Sequence, residues 1–229
     1  MQRFLFRNLA LLTLIVGGGN TAYGQLVWSE EFNTGEALDP AVWSYDIGDS
    51  GWGNQELQYY SENPENVRVE DGNLVINVRS TGEGASKQFT SARVRTQDKL
   101  MFKYGRIEAR IKMPDLADGL WPAFWTLGNN FSQVGWPRCG ELDIVEMGNA
   151  TAIRYDRVNR RVGSTAHWDG GNGYASFGTV LDLDEDIDGE YSTFTMDWTP
   201  ELVTTYVNGN KVWQFRIDPD VCFNCDEFH

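Results

Sequence analysis

Residues 140–148 read Gly140-Glu141-Leu142-Asp143-Ile144-Val145-Glu146-Met147-Gly148. Acids interleaved with β-branched and apolar residues predict a strand with one buried face and one chemical face. Side chains alternate along a strand, so Glu141 and Asp143 share a face. Strict alternation puts Val145 on that face next and turns Glu146 into the core, where an unpaired carboxylate is costly. One extra residue near Ile144 and Val145, a β-bulge of the kind found beside active sites, returns Glu146 to the side of Glu141. The two glutamates are then roughly 13 Å apart along the backbone. Arms leaning together over a concave sheet bring their carboxyls towards the ~5–5.5 Å that retaining glycoside hydrolysis requires. The plainer alternative is a strand whose polar face is merely acidic. Three clustered carboxylates with no Lys or Arg beside them repel one another, which disfavours it.

The rest of the composition is compatible with that chemistry. The 229 residues allow one substantial core, with no repeat, coiled coil or low-complexity tract. Nineteen Lys and Arg stand against 33 Asp and Glu, a net charge of −14. This disfavours nucleic acid and anionic membrane as partners and suits a neutral polymer. Nine Trp and nine Tyr supply flat apolar faces for sugar rings, although more than half are expected in the core.

Met1–Gly24 is laid out as a secretory leader. Arg3 and Arg7 precede the apolar run Leu9 to Val16, and Ala22-Tyr23-Gly24 is a small-x-small cleavage site. The run is too short to span a bilayer. The expectation is export, to the outside or the periplasm, with no membrane association after removal of the leader. Three cysteines, Cys139, Cys222 and Cys225, allow one bridge and leave one thiol. Their pairing is open. Cys222-Phe-Asn-Cys225 reads as a loop disulfide in preference to half a zinc site, because no second C-x-x-C exists and His229 is the only nearby histidine.

Outside the leader the pattern is repeatedly β. Gln25 to Trp28 opens the mature chain. Val67 to Val69 and Leu74 to Val78 flank the hairpin signal Asp71-Gly72-Asn73. Ser91 to Thr96 and Arg106 to Met113 alternate, the latter most cleanly. Gly119 to Gly128 is apolar and expected to be largely buried, with Trp121 and Trp125 on one face of a strand. Gly163 to Trp168 follows the acidic motif, then a Gly- and Asp-rich loop to Asp188. Phe194 to Trp198, Val203 to Val207 and Lys211 to Ile217 complete the series, the last two joined by an Asn208-Gly209 type I′ turn. Gly51-Trp52-Gly53-Asn54 suits either a ligand rim or a plain turn. No long helical periodicity occurs, so the fold class is all-β, a sandwich or barrel, in one domain over 25–229.

These residues resemble the E-x-D-x-x-E signature of family 16 glycoside hydrolases, in the bulged spacing of the laminarinase-like branch. Gly51 to Asn54, Phe102 to Met113, Gly119 to Trp125 and His167-Trp168 extend the resemblance over most of residues 28 to 217. It implies a β-jelly-roll sandwich of two antiparallel sheets with a concave cleft for β-glucan. It also implies an endo-β-1,3-glucanase, sometimes acting on β-1,3/1,4 linkages, working with retention and needing no cofactor for chemistry; the expected protein is a secreted monomer. By the same resemblance Glu141 is the nucleophile, Glu146 the general acid/base, and Asp143 tunes the nucleophile's charge. Trp121 and Trp125 are a sugar-stacking platform, Asn54 and Arg93 polar contacts, and His167 a donor beside the acid/base. A structural calcium held by Glu31 and the Gly72 carbonyl is a further candidate implied by the family, although two oxygens do not complete a site.

The chain departs from the family after Ile217, where two further strands are expected. Its end at Cys222 to His229 implies a fragment, or a sandwich lacking two C-terminal strands. Uncovered core and open edges would then lower stability or cause aggregation. Comparing the melting of this chain with a version extended by two strands checks this. The alternatives are a hydrolase of mixed-linkage glucan, agar or carrageenan, a non-catalytic glucan-binding protein, and an inert truncated chain.

Overall fold

The computed structural model describes residues 2–15, 23–117, 119–222 and 224–228. Its strands are β1 (Gln2–Ile15), β2 (Tyr23–Glu30), β3 (Ser44–Asp46), β4 (Gln58–Tyr60), β5 (Val67–Glu70), β6 (Asn73–Thr81), β7 (Gln88–Ser91) and β8 (Arg93–Arg95). After them come β9 (Gly105–Lys112), β10 (Ala123–Leu127), β11 (Glu141–Glu146), β12 (Arg161–Asp169), β13 (Tyr174–Asp182), β14 (Tyr191–Trp198), β15 (Leu202–Val207) and β16 (Asn210–Arg216). Two short helices, α1 (Phe131–Val134) and α2 (Ala150–Arg154), flank β11. The all-β expectation holds, with most strands in two large sheets of jelly-roll character.

The chain divides into two compact units. The first comprises residues 1–8 and 30–101. Within it β6 pairs antiparallel with β5 and with Gln2 to Phe6 of β1, and β7 joins β6 to β4 through one parallel pairing. Phe32, Leu38, Trp43, Val67, Val69, Leu74 and Val75 are buried there. The predicted strand over Ser91 to Thr96 is broken at Ala92: β7 pairs with β6, while β8 pairs with β3. Residues 2–15 of the predicted leader form β1. Val16 of its apolar run and Ala22 of its cleavage motif lie outside the described residues, as does His229.

The second unit comprises residues 9–29 and 102–229 and is itself a sandwich. One layer runs β16-β15-β14-β9 and the other β10-β11-β12-β13, all antiparallel. β9 shows why alternation predicts so well here: Ile107, Ala109 and Ile111 are buried, while Arg106, Glu108, Arg110 and Lys112 face the other way. Asn208 and Gly209 take positive φ (49° and 78°), as the turn between β15 and β16 demands. The predicted loop after Trp168 in fact contains β13. This is a sheet edge whose Tyr174, Phe177, Val180 and Leu181 are exposed, so no buried face imposed an alternation to be read.

The core of this unit is aromatic. Phe215 is fully buried and packs on Trp213, Trp168, Phe177 and Phe228 at centroid distances of 5.5–5.9 Å. The C-terminal segment is pinned to it: Cys222 is bonded to Cys225, Phe228 is 2% exposed, and Trp198 Nε1 donates to the Phe228 carbonyl at 3.2 Å. Cys139 is the free, buried thiol. Truncating a fully buried aromatic costs about 3–5 kcal/mol. Phe215→Ala should therefore lower unfolding free energy by that amount, measured by denaturant titration; a loss below about 1 kcal/mol would contradict this account of the core.

Candidate active site

β11 carries the bulge. Against β10, Phe124 pairs with Val145 but Trp125 pairs with Asp143, and against β12 the register shifts between Asp143 and Glu146. Ile144 is thus the extra residue, with no partner in either ladder. Glu141, Asp143 and Glu146 pair with His167, Thr165 and Gly163, three positions that alternate by two along β12 and so share one face. Leu142, Ile144, Val145 and Met147 are each at most 2% exposed. The strand buries its apolar residues and presents all three acids on the face of His167 and Thr165.

The acids are tied to distinct partners. His167 Nε2 lies 2.9 Å from Asp143 Oδ2, and its Nδ1 lies 2.7 Å from the Tyr174 hydroxyl. Asp143 is 3% exposed, and interaction with Glu141 offsets part of the rise that burial causes in its pKa. Trp136 hydrogen-bonds Glu141. Trp121 Nε1 donates to Glu146 Oε1 at 3.1 Å. His167 therefore bonds the central acid, not the acid/base candidate beside which the family resemblance set it.

Burial pushes all three carboxyls up to about 7. The Asp143 charge adds to the rise at Glu141 and Glu146, and His167 counteracts it at both. The Trp121 indole holds Glu146 lower by stabilising its anion. Such a set titrates as a unit, keeping at least one proton into the neutral range. That is what a site needing one carboxylate and one carboxylic acid together requires.

Trp121 and Trp125 do not share a strand. β10 begins at Ala123, after Pro122, and Trp121 lies in the preceding loop, 50% exposed. Met147 N–H donates to the Pro122 carbonyl at 3.2 Å. A Cβ on Gly148 would lie 2.0 Å from the Leu120 carbonyl, so this glycine allows the loop to approach β11 and bring Trp121 to Glu146. Trp125 stands in register with Asp143 on β10, whose residues are half-buried rather than largely buried because one side of the strand belongs to the open face. A hydrogen bond to a charged group is worth ~1.5–3 kcal/mol. Trp121→Phe deletes one that lowers Glu146, so the alkaline limb of the pH–rate profile should move to higher pH; an unmoved limb would contradict this role.

Two exposed aromatics that the sequence reading did not single out complete the wall beside Glu141. Trp136 and Tyr174 lie 5.0 Å apart between ring centroids, and Tyr174 stacks on His167 at 5.7 Å. They border a pocket of about 330 Å³ whose lining includes none of the three acids, and one of about 180 Å³ opens at Glu146, lined also by Gly163, Thr165, Thr179 and Val180. The position of Trp136, five residues before Glu141 in the same segment, was the available signal.

Asn54 and Arg93 belong to the first unit. Asn54 is exposed in the turn closed by its N–H to the Gly51 carbonyl at 2.8 Å. The Arg93 guanidinium lies 4.8 Å from the Trp52 ring centroid, and its Nε donates to the buried Asp46 at 3.0 Å. Glu31 is half-buried, and Gly72 has its Cα hydrogen side facing Asn33. Among the described residues, the group of three acidic, histidine or cysteine side chains with metal-ligand spacing is Glu141, Asp143 and His167, with atoms within 4.8 Å of one another; Glu31 is not part of it. Calcium prefers about six to eight oxygen ligands, of which Glu31 and the Gly72 carbonyl would supply two.

A family model described as "Glycosyl hydrolases family 16" matches residues 54–222. A glucan endo-1,3-beta-glucosidase from Cryptopygus antarcticus is 38% identical over 182 residues, covering 77% of this chain and 63% of that protein. The clotting factor G alpha subunit of Tachypleus tridentatus is 37% identical over 199 residues, 86% of this chain but 27% of that subunit. The catalytic domain of an endo-1,3-beta-glucanase (laminarinase) from Thermotoga petrophila superposes with a TM-score of 0.71 at 39% identity, covering 86% of this chain and 77% of that one.

Proposed function

The chain belongs to glycosyl hydrolase family 16, and from that premise we propose that it is an endo-β-1,3-glucanase that cleaves internal linkages of laminarin-type β-glucan with retention at the anomeric carbon. The observation that carries this reading is the bulge that sets Glu146 on the face of Glu141 and Asp143.

Glu141 attacks the anomeric carbon as the carboxylate, while the Glu146 carboxylic acid protonates the departing glycosidic oxygen. The glycosyl-enzyme ester forms as the C–O bond to the leaving sugar breaks. Glu146, now ionised, takes a proton from water, which attacks the same carbon and frees Glu141. Asp143, bonded to His167 and adjacent to Glu141, holds the nucleophile's orientation and tunes its charge. Trp121, Trp125, Trp136 and Tyr174 offer ring faces for sugar stacking. Asn54 and Arg93 serve as polar contacts to the polymer.

Because the acid must keep its proton, kcat/KM is expected to fall as pH rises through about 7, the value to which burial brings Glu146. We extend the proposal to export: Met1–Gly24 is removed as a leader, and the protein meets its polymer outside the cell or in the periplasm as a monomer. Reducing-sugar release from laminarin, lichenan and agarose tests the substrate. Laminarin is expected to be cleaved fastest, with Glu141→Gln inactive on all three. Faster cleavage of lichenan or agarose would favour the related polymer, and tight laminarin binding without release would favour a non-catalytic binder.

A further inference from the structure

The residue that makes the bulge is held from behind. Ile144 has no register partner on β10 or β12, and its buried carbonyl accepts from a side-chain donor. Ser164, 1% exposed and pointing inward from β12, supplies it: Ser164 Oγ donates to the Ile144 carbonyl at 2.8 Å. Thr205, also 1% exposed, donates from the opposite sheet layer to Ser164 Oγ at 2.9 Å. Thr205 itself sits where the pairing of β15 with β16 shifts register.

We propose that Ser164 and Thr205 are positioning residues for Glu146, locking the bulge in β11 through the relay Thr205 hydroxyl to Ser164 hydroxyl to Ile144 carbonyl. The physical reason is directional. With the Thr205 proton on Ser164 Oγ, the serine proton is aimed at the bulge carbonyl, and each bond polarises the next. Removing the serine hydroxyl leaves a buried carbonyl unsatisfied, and strand β11 relieves it by sliding towards regular pairing. Regular pairing turns Glu146 away from the cleft by the period of two, whereas Glu141 and Asp143 lie before the bulge and keep their register. The relay thus acts on the proton donor and spares the nucleophile.

The inference rests on the hydrolase reading, and two substrates separate the two. Laminarin needs a protonated leaving group; a dinitrophenyl β-laminaribioside departs without one. Parameters for kcat/KM report the steps up to the glycosyl-enzyme. Ser164→Ala is expected to lose roughly 10–100-fold on laminarin and no more than about threefold on the aryl glycoside. Thr205→Val, nearly isosteric, should show the same split more weakly, and Thr205→Ser should restore wild-type values. A merely structural role lowers the active fraction and so reduces both substrates equally. Equal losses, or none, in soluble Thr205→Val and Ser164→Ala overturn the relay, and if Ser164→Ala does not fold, Thr205→Val against Thr205→Ser decides alone. A wild-type protein that cleaves neither substrate overturns the hydrolase reading instead.

Discussion

Glu141→Ala should reduce kcat on laminarin by about 10⁴-fold or more, the loss expected when a covalent nucleophile is deleted. The cleft keeps its acid, its aromatic walls and its shape, so binding should change far less than turnover. The space vacated by the carboxylate admits a small anion. Added azide is expected to restore part of the rate with an activated aryl glycoside and to yield the α-glycosyl azide, because one displacement replaces two. A variant retaining more than about a hundredth of wild-type activity would exclude Glu141 as the nucleophile.

The same position carries a stability cost that points the other way. Burial and the Asp143 charge raise the folded-state pKa of Glu141 to about 7, above the ~4.3 of an unfolded glutamate. The folded state therefore binds more protons between those values, and stability present below pH ~4 is lost as pH rises through about 7. Glu141→Gln should accordingly melt higher than the wild type above pH 7, by on the order of 1–2 kcal/mol, and the gain should disappear in acid.

Glu146→Ala is the second large effect. Removing a general acid costs about 10²–10⁴-fold, and the loss should fall on laminarin, whose leaving sugar needs a proton. Formation of the glycosyl-enzyme from a dinitrophenyl glycoside should be nearly spared. The alkaline limb, set in the wild type by ionisation of a carboxyl raised to about 7, should vanish from the residual activity. Azide here is expected to give the β-glycosyl azide, since Glu141 still forms the intermediate and the anion replaces water. Equal loss on both substrates would mean that Glu146 serves binding or folding instead of proton transfer.

The parts of the site that were legible in the sequence were those where two physical demands conflict. Glu146 breaks the alternation of β11, and the cost of burying it predicts the extra residue that the register shift at Ile144 displays. The clean alternation of β9 and the Asn208-Gly209 turn were readable for the same reason: each has one physically admissible solution. What escaped reading was what no such conflict marks. β13 exposes its apolar residues and has no alternation to betray it. Trp121 stands four residues from Trp125, a spacing that suits one strand face, but Pro122 lies between them and β10 starts after it. Trp136 approaches His167 only through tertiary packing, and Tyr174 only across the β12–β13 hairpin. Ser164 is one serine among polar strand residues until its hydrogen bond to the bulge carbonyl of Ile144 is seen.

Glu141 is the attacking group, and the bulge in β11 sets Glu146 on the same face as its proton donor. A 2-deoxy-2-fluoro β-laminaribioside with a dinitrophenyl leaving group forms the glycosyl-enzyme but slows its release, and peptide mass spectrometry of the trapped protein locates the sugar. One fluoroglycosyl unit on Glu141 is expected. A label on Asp143 or Glu146, or steady turnover of laminarin by a protein that this reagent neither labels nor inactivates, would contradict it.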